Sequence, residues 1–242
     1  MSGDEFALNG YKASDQPSYW TDQVKKKLLD DIITKLELSP KYQILDVGCG
    51  TGMILQQISP HVAHIRGIDF SFDMLKIACV HLPMNATLEQ GNAAELPFKD
   101  ETFDRVLCYS VITNFLDDDF TRSVLVQLLR VTRKGGFVLI GNTPDDEKKD
   151  EQAKLIQQQW QAKGKLPLCR SVLSSFVARC RNRWSCRILN RSVQPGLGNR
   201  FFTKDFFKKF AKEASCNIEI LPIHVEGYIY APYRFDVRLW PL

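Results

Sequence analysis

No apolar run in the 242-residue chain approaches the ~20 residues that a membrane-spanning helix requires, so no transmembrane segment is expected. Met1 to Asp15 lacks both the basic lead and the apolar core of a secretory leader. The seven cysteines are odd in number and scattered, with no C-x-x-C pair and no histidine at zinc-ligand spacing. That pattern argues against a disulfide framework and against a metal site. Free thiols in a reducing, cytoplasmic setting are the expectation. Composition is otherwise ordinary for a globular chain, with 44% hydrophobic and 25% charged residues.

One stretch stands out. Ile44-Leu45-Asp46-Val47 is a short apolar run closed by an acid, and Gly48, Gly50 and Gly52 follow at alternate positions before a helical pattern begins. This is the layout of a strand, a tight turn and a helix that together cradle a nucleoside cofactor. Glycine suits such a turn because it adopts backbone angles closed to other residues and lets a ligand approach the main chain. A dinucleotide fingerprint would need its third glycine at position 53, where Met53 stands instead. Farther on, Gly67-Ile68-Asp69-Phe70 reads as a second strand ending in a carboxylate, the group suited to gripping both ribose hydroxyls.

Asp46-Val47-Gly48-Cys49-Gly50-Thr51-Gly52 resembles the first motif of class I S-adenosylmethionine-dependent methyltransferases, in their type 11-like branch. Asp69-Phe70-Ser71 with Met74, Leu75 and Ala78 is similar to the second motif. Gly91 to Phe98 and Phe103 to Val106 are similar to the third and fourth, and Leu129 to Gly136 to the segment entering the fifth strand. The resemblance covers residues 40 to 142, with five motifs in the correct order. A looser likeness, carried by Ile140 to Pro144, Phe201 to Phe207 and Tyr233 to Val237, is to bacterial small-molecule methyltransferases, some of them in surface-glycan or secondary-metabolite pathways.

The periodicity agrees with that family's fold. Trp20, Val24, Leu28, Ile32 and Leu36 fall at four-residue spacing and predict a helix over 19–38. Strands are predicted at 43–47, 64–69, 86–90, 103–108 and 136–141, alternating with helices near 52–59, 71–80 and 118–130. The expectation is an α/β, doubly wound, Rossmann-like and mostly parallel seven-stranded sheet with helices on both faces. Its parts would be an N-terminal lid and helix (1–38), a cofactor-binding core (39–142), an inserted basic helical cap (143–216) and the final strands (217–242), the last antiparallel by resemblance. From Lys165 to Lys212 there are twelve Lys and Arg against the single acid Asp205, a local +11 in a chain of net +4. Within it, Val172, Leu173, Phe176, Val177 and Cys180 make one helical apolar face. Such asymmetry reads either as a solvated basic face or as a surface for an anionic partner: a phosphorylated substrate, a nucleic acid or a membrane surface.

The resemblance implies S-adenosyl-L-methionine as cofactor and assigns its contacts. Gly48, Gly50 and Gly52 shape the turn, with Cys49 fitted among them as a small residue rather than a nucleophile. Asp46 would orient the turn and the cofactor's amino group, Asp69 would take the ribose, and Phe70 and Met74 would pack on the adenine. Asn92 stands where the family often has aspartate, and would accept from the adenine amino group through its carbonyl oxygen. Ala93 would offer its N–H, Tyr109 and Ser110 would lie beneath the methyl group, and Tyr11 and Trp20 would fold over as a lid. Methyl transfer from a sulfonium needs positioning and dryness more than a nucleophile, so no catalytic residue is fixed. His224, Tyr109 and Asn114 are candidates, with Tyr228, Tyr230 and Tyr233 near the pocket.

The function expected is methyl transfer by in-line displacement to a small-molecule or lipid- or glycan-linked acceptor, at oxygen. The alternatives are an RNA methyltransferase that grips phosphates with its cap, and a cofactor-binding scaffold without turnover. Against the first, Cys108-Tyr109-Ser110-Val111 lacks the N-P-P-[FY] signature of amino-nitrogen methylases, and no RNA-binding module is visible, so a nucleic-acid partner is not expected.

Overall fold

The computed structural model describes residues 21–115, 117–162 and 200–242. Helix α1 (Asp22–Leu36) begins where the Thr21 side chain accepts from the Val24 N–H at 3.3 Å, and it buries Val24, Leu28, Ile32 and Leu36 as one stripe. Strands β1 (Gln43–Val47), β2 (His64–Asp69) and β3 (Ala86–Gln90) alternate with α2 (Met53–Ile58) and α3 (Phe72–Val80). Then come β4 (Phe103–Tyr109), α4 (Asp118–Val131), β5 (Thr132–Pro144), α5 (Lys149–Ala162), α6 (Lys204–Glu213), β6 (Cys216–Pro222) and β7 (Arg234–Pro241). The seven strands form one sheet in the order β3-β2-β1-β4-β5-β7-β6. Pairs from β3 through β5 are parallel, and β7 runs antiparallel to both β5 and β6.

The chain steps from β1 outward to β3 and then returns to β4 on the other side of β1, so the strand order reverses between β1 and β4. In such sheets ligands bind outside the carboxyl ends of the strands at that reversal. Both faces are covered. One apolar cluster packs α4 and α6 residues, among them Val124, Leu128, Phe207 and Phe210, against Val106, Cys108 and Val138. The other packs the α1 stripe and Leu55 against Ile44, Leu107 and Leu139.

The expected strands are present with their ends moved by a few residues, and the largest change is at β5. It runs from Thr132 to Pro144, with a register shift against β7 between Ile140 and Thr143. Tyr109 was expected just past the fourth strand; it is instead that strand's last residue.

The length of 143–216 and its change of pattern predict an inserted cap; within that range α6 packs on the core: Thr203 caps it by accepting from the Phe206 N–H at 3.1 Å, and Phe207, Phe210 and Ala211 are buried against the sheet. Its charge is also partly neutralised. Lys204 pairs with Asp145 at 2.9 Å and Glu147 at 3.1 Å, and Arg200 pairs with Asp118. The apolar face from Val172 to Cys180, the bulk of the basic stretch, and the lid residues Tyr11 and Trp20 lie outside the described residues.

A glycine sets the spacing of β4 and β5 at their carboxyl ends. Gly141 is in register with Tyr109, and a Cβ on it would stand 2.0 Å from the tyrosine ring. Gly141→Ala should therefore cost about 1–3 kcal/mol through overpacking. In a thermal-denaturation double-mutant cycle, Tyr109→Ala should absorb most of that cost; additive effects would mean the ring is not the obstacle.

Candidate functional site

The glycine turn leaves β1 along a path other residues take only under strain. Gly48, Gly50 and Gly52 have φ of 76°, 54° and 77°. The N–H groups of Gly48 and Cys49 both donate to the Ile68 carbonyl, at 2.7 and 3.1 Å, tying the turn to β2. A Cβ on Gly48 would meet Val111 at 2.4 Å, whereas a Cβ on Gly50 would meet nothing within 4 Å among the described residues. Gly50 therefore lines open space, and its lack of a side chain there keeps a ligand's path to the backbone clear.

Asp69, at the end of β2, holds this turn. One carboxylate oxygen accepts from the Gly50 N–H at 2.8 Å, and the other accepts from the Ser71 N–H at 2.8 Å. Each oxygen keeps a further lone pair, and the residue is only half-buried. Asp46, expected to orient the turn and the cofactor's amino group, is 2% exposed; among the described residues it makes no hydrogen bond to the turn and its Oδ2 has no partner. Burial, reinforced by the negative charge of Asp69, raises its carboxyl to about 7. A buried acid with an unused oxygen beside a second carboxylate is a site that a cation would satisfy. The ammonium and sulfonium of S-adenosylmethionine are such cations, and the open flank at Gly50 admits a ligand backbone-first, so the residues present fit this group.

Cys49 packs in the turn with its Sγ against Gly67, where a Cβ would come within 2.8 Å of it. Burial and the two carboxylates push its thiol far above the ordinary range, so it is not a nucleophile. Beyond β2, Phe70 is 49% exposed although aromatic, and Met74 sits half-buried one turn into α3, its N–H capped by Ser71. Asn92 uses its Oδ1 to accept from the Ala94 N–H at 3.0 Å. The oxygen expected to take the adenine amino group is thus already engaged, leaving it one lone pair. Ala93 packs partly against the core.

The candidates at β4 separate. Ser110 is half-buried at the strand end with φ of 61°. Tyr109 is turned inward: it is 4% exposed, its hydroxyl has no partner among the described residues, and burial with the nearby Asp236 and Tyr228 raises its pKa well above the ordinary 10. It cannot serve as a base near neutral pH. Asn114 is exposed, in the short 3₁₀ turn after β4. His224 is exposed in the loop after β6.

A polar corner beside Ser110 was not anticipated. Asn142, buried at 6% with φ of 57°, donates through Nδ2 to the Ser110 Oγ at 2.7 Å and accepts through Oδ1 from the Tyr228 hydroxyl at 2.9 Å. Its backbone N–H donates to Asp236 at 2.8 Å, and its carbonyl accepts from Arg234 at 3.0 Å. Asp236, fully buried, is held in turn by Lys35 of α1 at 2.7 Å. The only sequence signal was an Asn following Gly141 at a strand end, since Asn tolerates the left-handed region.

A turn of this shape, with an acid at the end of β1 and another at the end of β2, defines a nucleoside-cofactor domain of the Rossmann-like class. Residues 44–136 match the family model described as a methyltransferase domain. Residues 44–136 are thus a methyltransferase domain similar to those of the S-adenosylmethionine-dependent class, whose cofactor is S-adenosylmethionine. The chain is 35% identical over 116 residues to a demethylmenaquinone methyltransferase of Alkalihalophilus pseudofirmus, covering 45% of this chain and 48% of the relative. It is 39% identical over 105 residues to a phosphatidylethanolamine N-methyltransferase of Cereibacter sphaeroides, covering 41% and 50%. The chain thus spans about half the length of the curated relatives it matches. Among solved structures, an S-adenosylmethionine-dependent methyltransferase from Clostridium acetobutylicum shares the fold at TM-score 0.59 and 16% identity, covering 91% of this chain and 92% of that one. The YcgJ protein of Bacillus subtilis superposes at TM-score 0.56 and 20% identity, covering 81% and 70%.

Proposed function

We propose that this chain is an active methyltransferase that alkylates an oxygen of a small-molecule or lipid- or glycan-linked acceptor. The observation that carries the reading is the pairing of an open glycine turn, pinned by Asp69 through Gly50, with the buried, unpartnered carboxyl of Asp46. Bound S-adenosylmethionine supplies a methyl group already activated on a sulfonium. The chain's residues then have three tasks: holding the ribose at Asp69, compensating positive charge at Asp46, and orienting an acceptor at the β4 and β5 ends. Acceptors named for relatives include demethylmenaquinone and phosphatidylethanolamine, both lipid-like, which supports the acceptor class. No described helix is long and apolar enough to cross a membrane. Oxygen is favoured over nitrogen because Arg234, which pairs with no carboxylate among the described residues, stands at the proposed acceptor end, and a cation there favours an anionic oxygen as the nucleophile.

Calorimetry tests the first half of this reading. S-adenosylmethionine and S-adenosylhomocysteine should bind, and NAD should give little heat because Met53 replaces the dinucleotide glycine. Preference for NAD would overturn it. Turnover is tested by enzyme-dependent release of S-adenosylhomocysteine with cell extracts. Release that survives nuclease treatment supports a small acceptor, whereas loss on nuclease treatment would point to RNA.

A further inference from the structure

The corner built around Asn142 spends much of its local structure on fixing two outward-acting groups. Two non-glycine residues, Ser110 and Asn142, are both held at positive φ (61° and 57°) at the carboxyl ends of adjacent strands. A register irregularity in the β5–β7 pairing falls at the same place. Such strain persists only when the surroundings over-determine it, and it gathers at working sites. Here the surroundings do over-determine it, because all four polar groups of Asn142 are hydrogen-bonded. The side-chain N–H of Asn142 occupies a lone pair of the Ser110 Oγ, which leaves the Ser110 hydroxyl as a donor of fixed direction. The Asn142 carbonyl takes one end of the Arg234 guanidinium.

Arg234 differs from most of the described arginines. Arg122, Arg130, Arg133, Arg200 and Arg238 each pair with a carboxylate, and Arg105 spends its guanidinium on the Leu36 and Asp104 carbonyls and the Tyr42 hydroxyl. Arg234 pairs with no carboxylate among the described residues: its contacts are the Asn142 carbonyl and the Tyr230 ring, 5.5 Å from the guanidinium carbon to the ring centroid. Its Nε is buried without a hydrogen-bond partner, as is the nearby Tyr109 hydroxyl, and Arg234 is close enough to Tyr109 to influence it electrostatically. A half-buried guanidinium with an unspent donor, joined through Asn142 to the Ser110 hydroxyl, is a recognition site for an anionic oxygen.

We infer that Ser110 and Arg234, positioned by Asn142, form the acceptor subsite, and that the acceptor presents an anionic oxygen there, as a carboxylate, phenolate or enolate does. The inference rests on the methyltransferase reading and adds the chemical class of its second substrate. The guanidinium holds the acceptor oxygen in its deprotonated form, which is the form that displaces a sulfonium. The acceptor oxygen's electron pair forms the new bond to the methyl carbon, the carbon–sulfur bond breaks, and S-adenosylhomocysteine leaves with that electron pair. No enzyme base is then needed at the moment of transfer, consistent with the inward, poorly acidic Tyr109 and the exposed His224 and Asn114.

The test uses the full chain loaded with S-adenosylhomocysteine, with benzoate and benzamide as charged and neutral probes of matching shape, titrated by calorimetry. Benzoate should bind at least about tenfold more tightly than benzamide. Arg234→Gln should bring benzoate down to the benzamide level, Arg234→Lys should recover part of the difference, and Ser110→Ala should weaken benzoate severalfold. Neither Arg234 variant should change affinity for S-adenosylhomocysteine by more than about twofold. Equal affinity for the two probes, no benzoate binding by the loaded wild type, or retained charge preference in Arg234→Gln would each overturn the inference while leaving the methyltransferase reading intact. Failure of the chain to bind S-adenosylhomocysteine at all would instead remove the reading beneath it.

Discussion

Asp69→Ala is expected to weaken S-adenosylmethionine binding by a hundredfold or more while leaving the fold intact. Two charge-assisted hydrogen bonds to ribose hydroxyls would be lost, each worth about 1.5–3 kcal/mol. The structure adds a second cause. The same carboxylate anchors the Gly50 N–H at 2.8 Å, so its removal also frees the turn that lines the cofactor's path. Asp69→Asn separates the two effects: its side-chain oxygen can still take the Gly50 N–H, but the charge is gone. It should fall between wild type and Asp69→Ala in titration calorimetry. A dissociation constant unchanged in both variants would mean that Asp69 is not at the ribose.

Asp46 should make cofactor binding and stability respond to pH in opposite senses. Its carboxyl is raised from 3.8 to about 7 by burial and by Asp69. A carboxyl raised in the folded state contributes stability that is fully present below about pH 4 and lost as pH rises through 7. By pH 8 the ligand-free protein carries a buried charge whose cost is at most ~4 kcal/mol, at 1.36 kcal/mol per unit. Asp46→Asn should therefore raise the melting temperature at pH 8 by several degrees and change it little near pH 4. Cofactor binding runs the other way, because a cationic ligand needs the ionised acid. Wild-type affinity should climb by about tenfold per pH unit below 7 and level off above it, with a proton released on binding at pH 6. That release is read by repeating the calorimetry in buffers of different ionisation enthalpy. In Asp46→Asn the pH dependence should vanish and affinity at pH 8 should fall. A variant less stable at pH 8, with the pH profile of binding unchanged, would show that Asp46 is neither strained nor at the cofactor.

The amino-acid sequence by itself determined the cofactor half of this protein. Strands β1, β2 and β3 are read from local periodicity, and the ends of β1 and β2 carry the glycine turn and Asp69, with Asp69 21 residues after Gly48, so local patterns suffice. Phe70, Met74 and the helix starts capped by Ser71 and Asp117 belong to the same local grammar. Two features have causes that are not local. The last helix of the predicted cap, α6, is placed by Phe207 and Phe210, which pack against a sheet whose members come from elsewhere in the chain. The protonation of Asp46 is set by burial among neighbouring strands and by the charge of Asp69.

The corner around Asn142, the proposed acceptor subsite, was decided only by tertiary structure. Asn142 lies 32 residues from Ser110, 86 from Tyr228 and 94 from Asp236. It joins them because β7 inserts antiparallel between β5 and β6 and carries Arg234 and Asp236 back to the end of β5. No short-range pattern encodes that return. A hydrogen-bond network is specified by directions and distances across strands, and single-sequence periodicity records only which residues face inward.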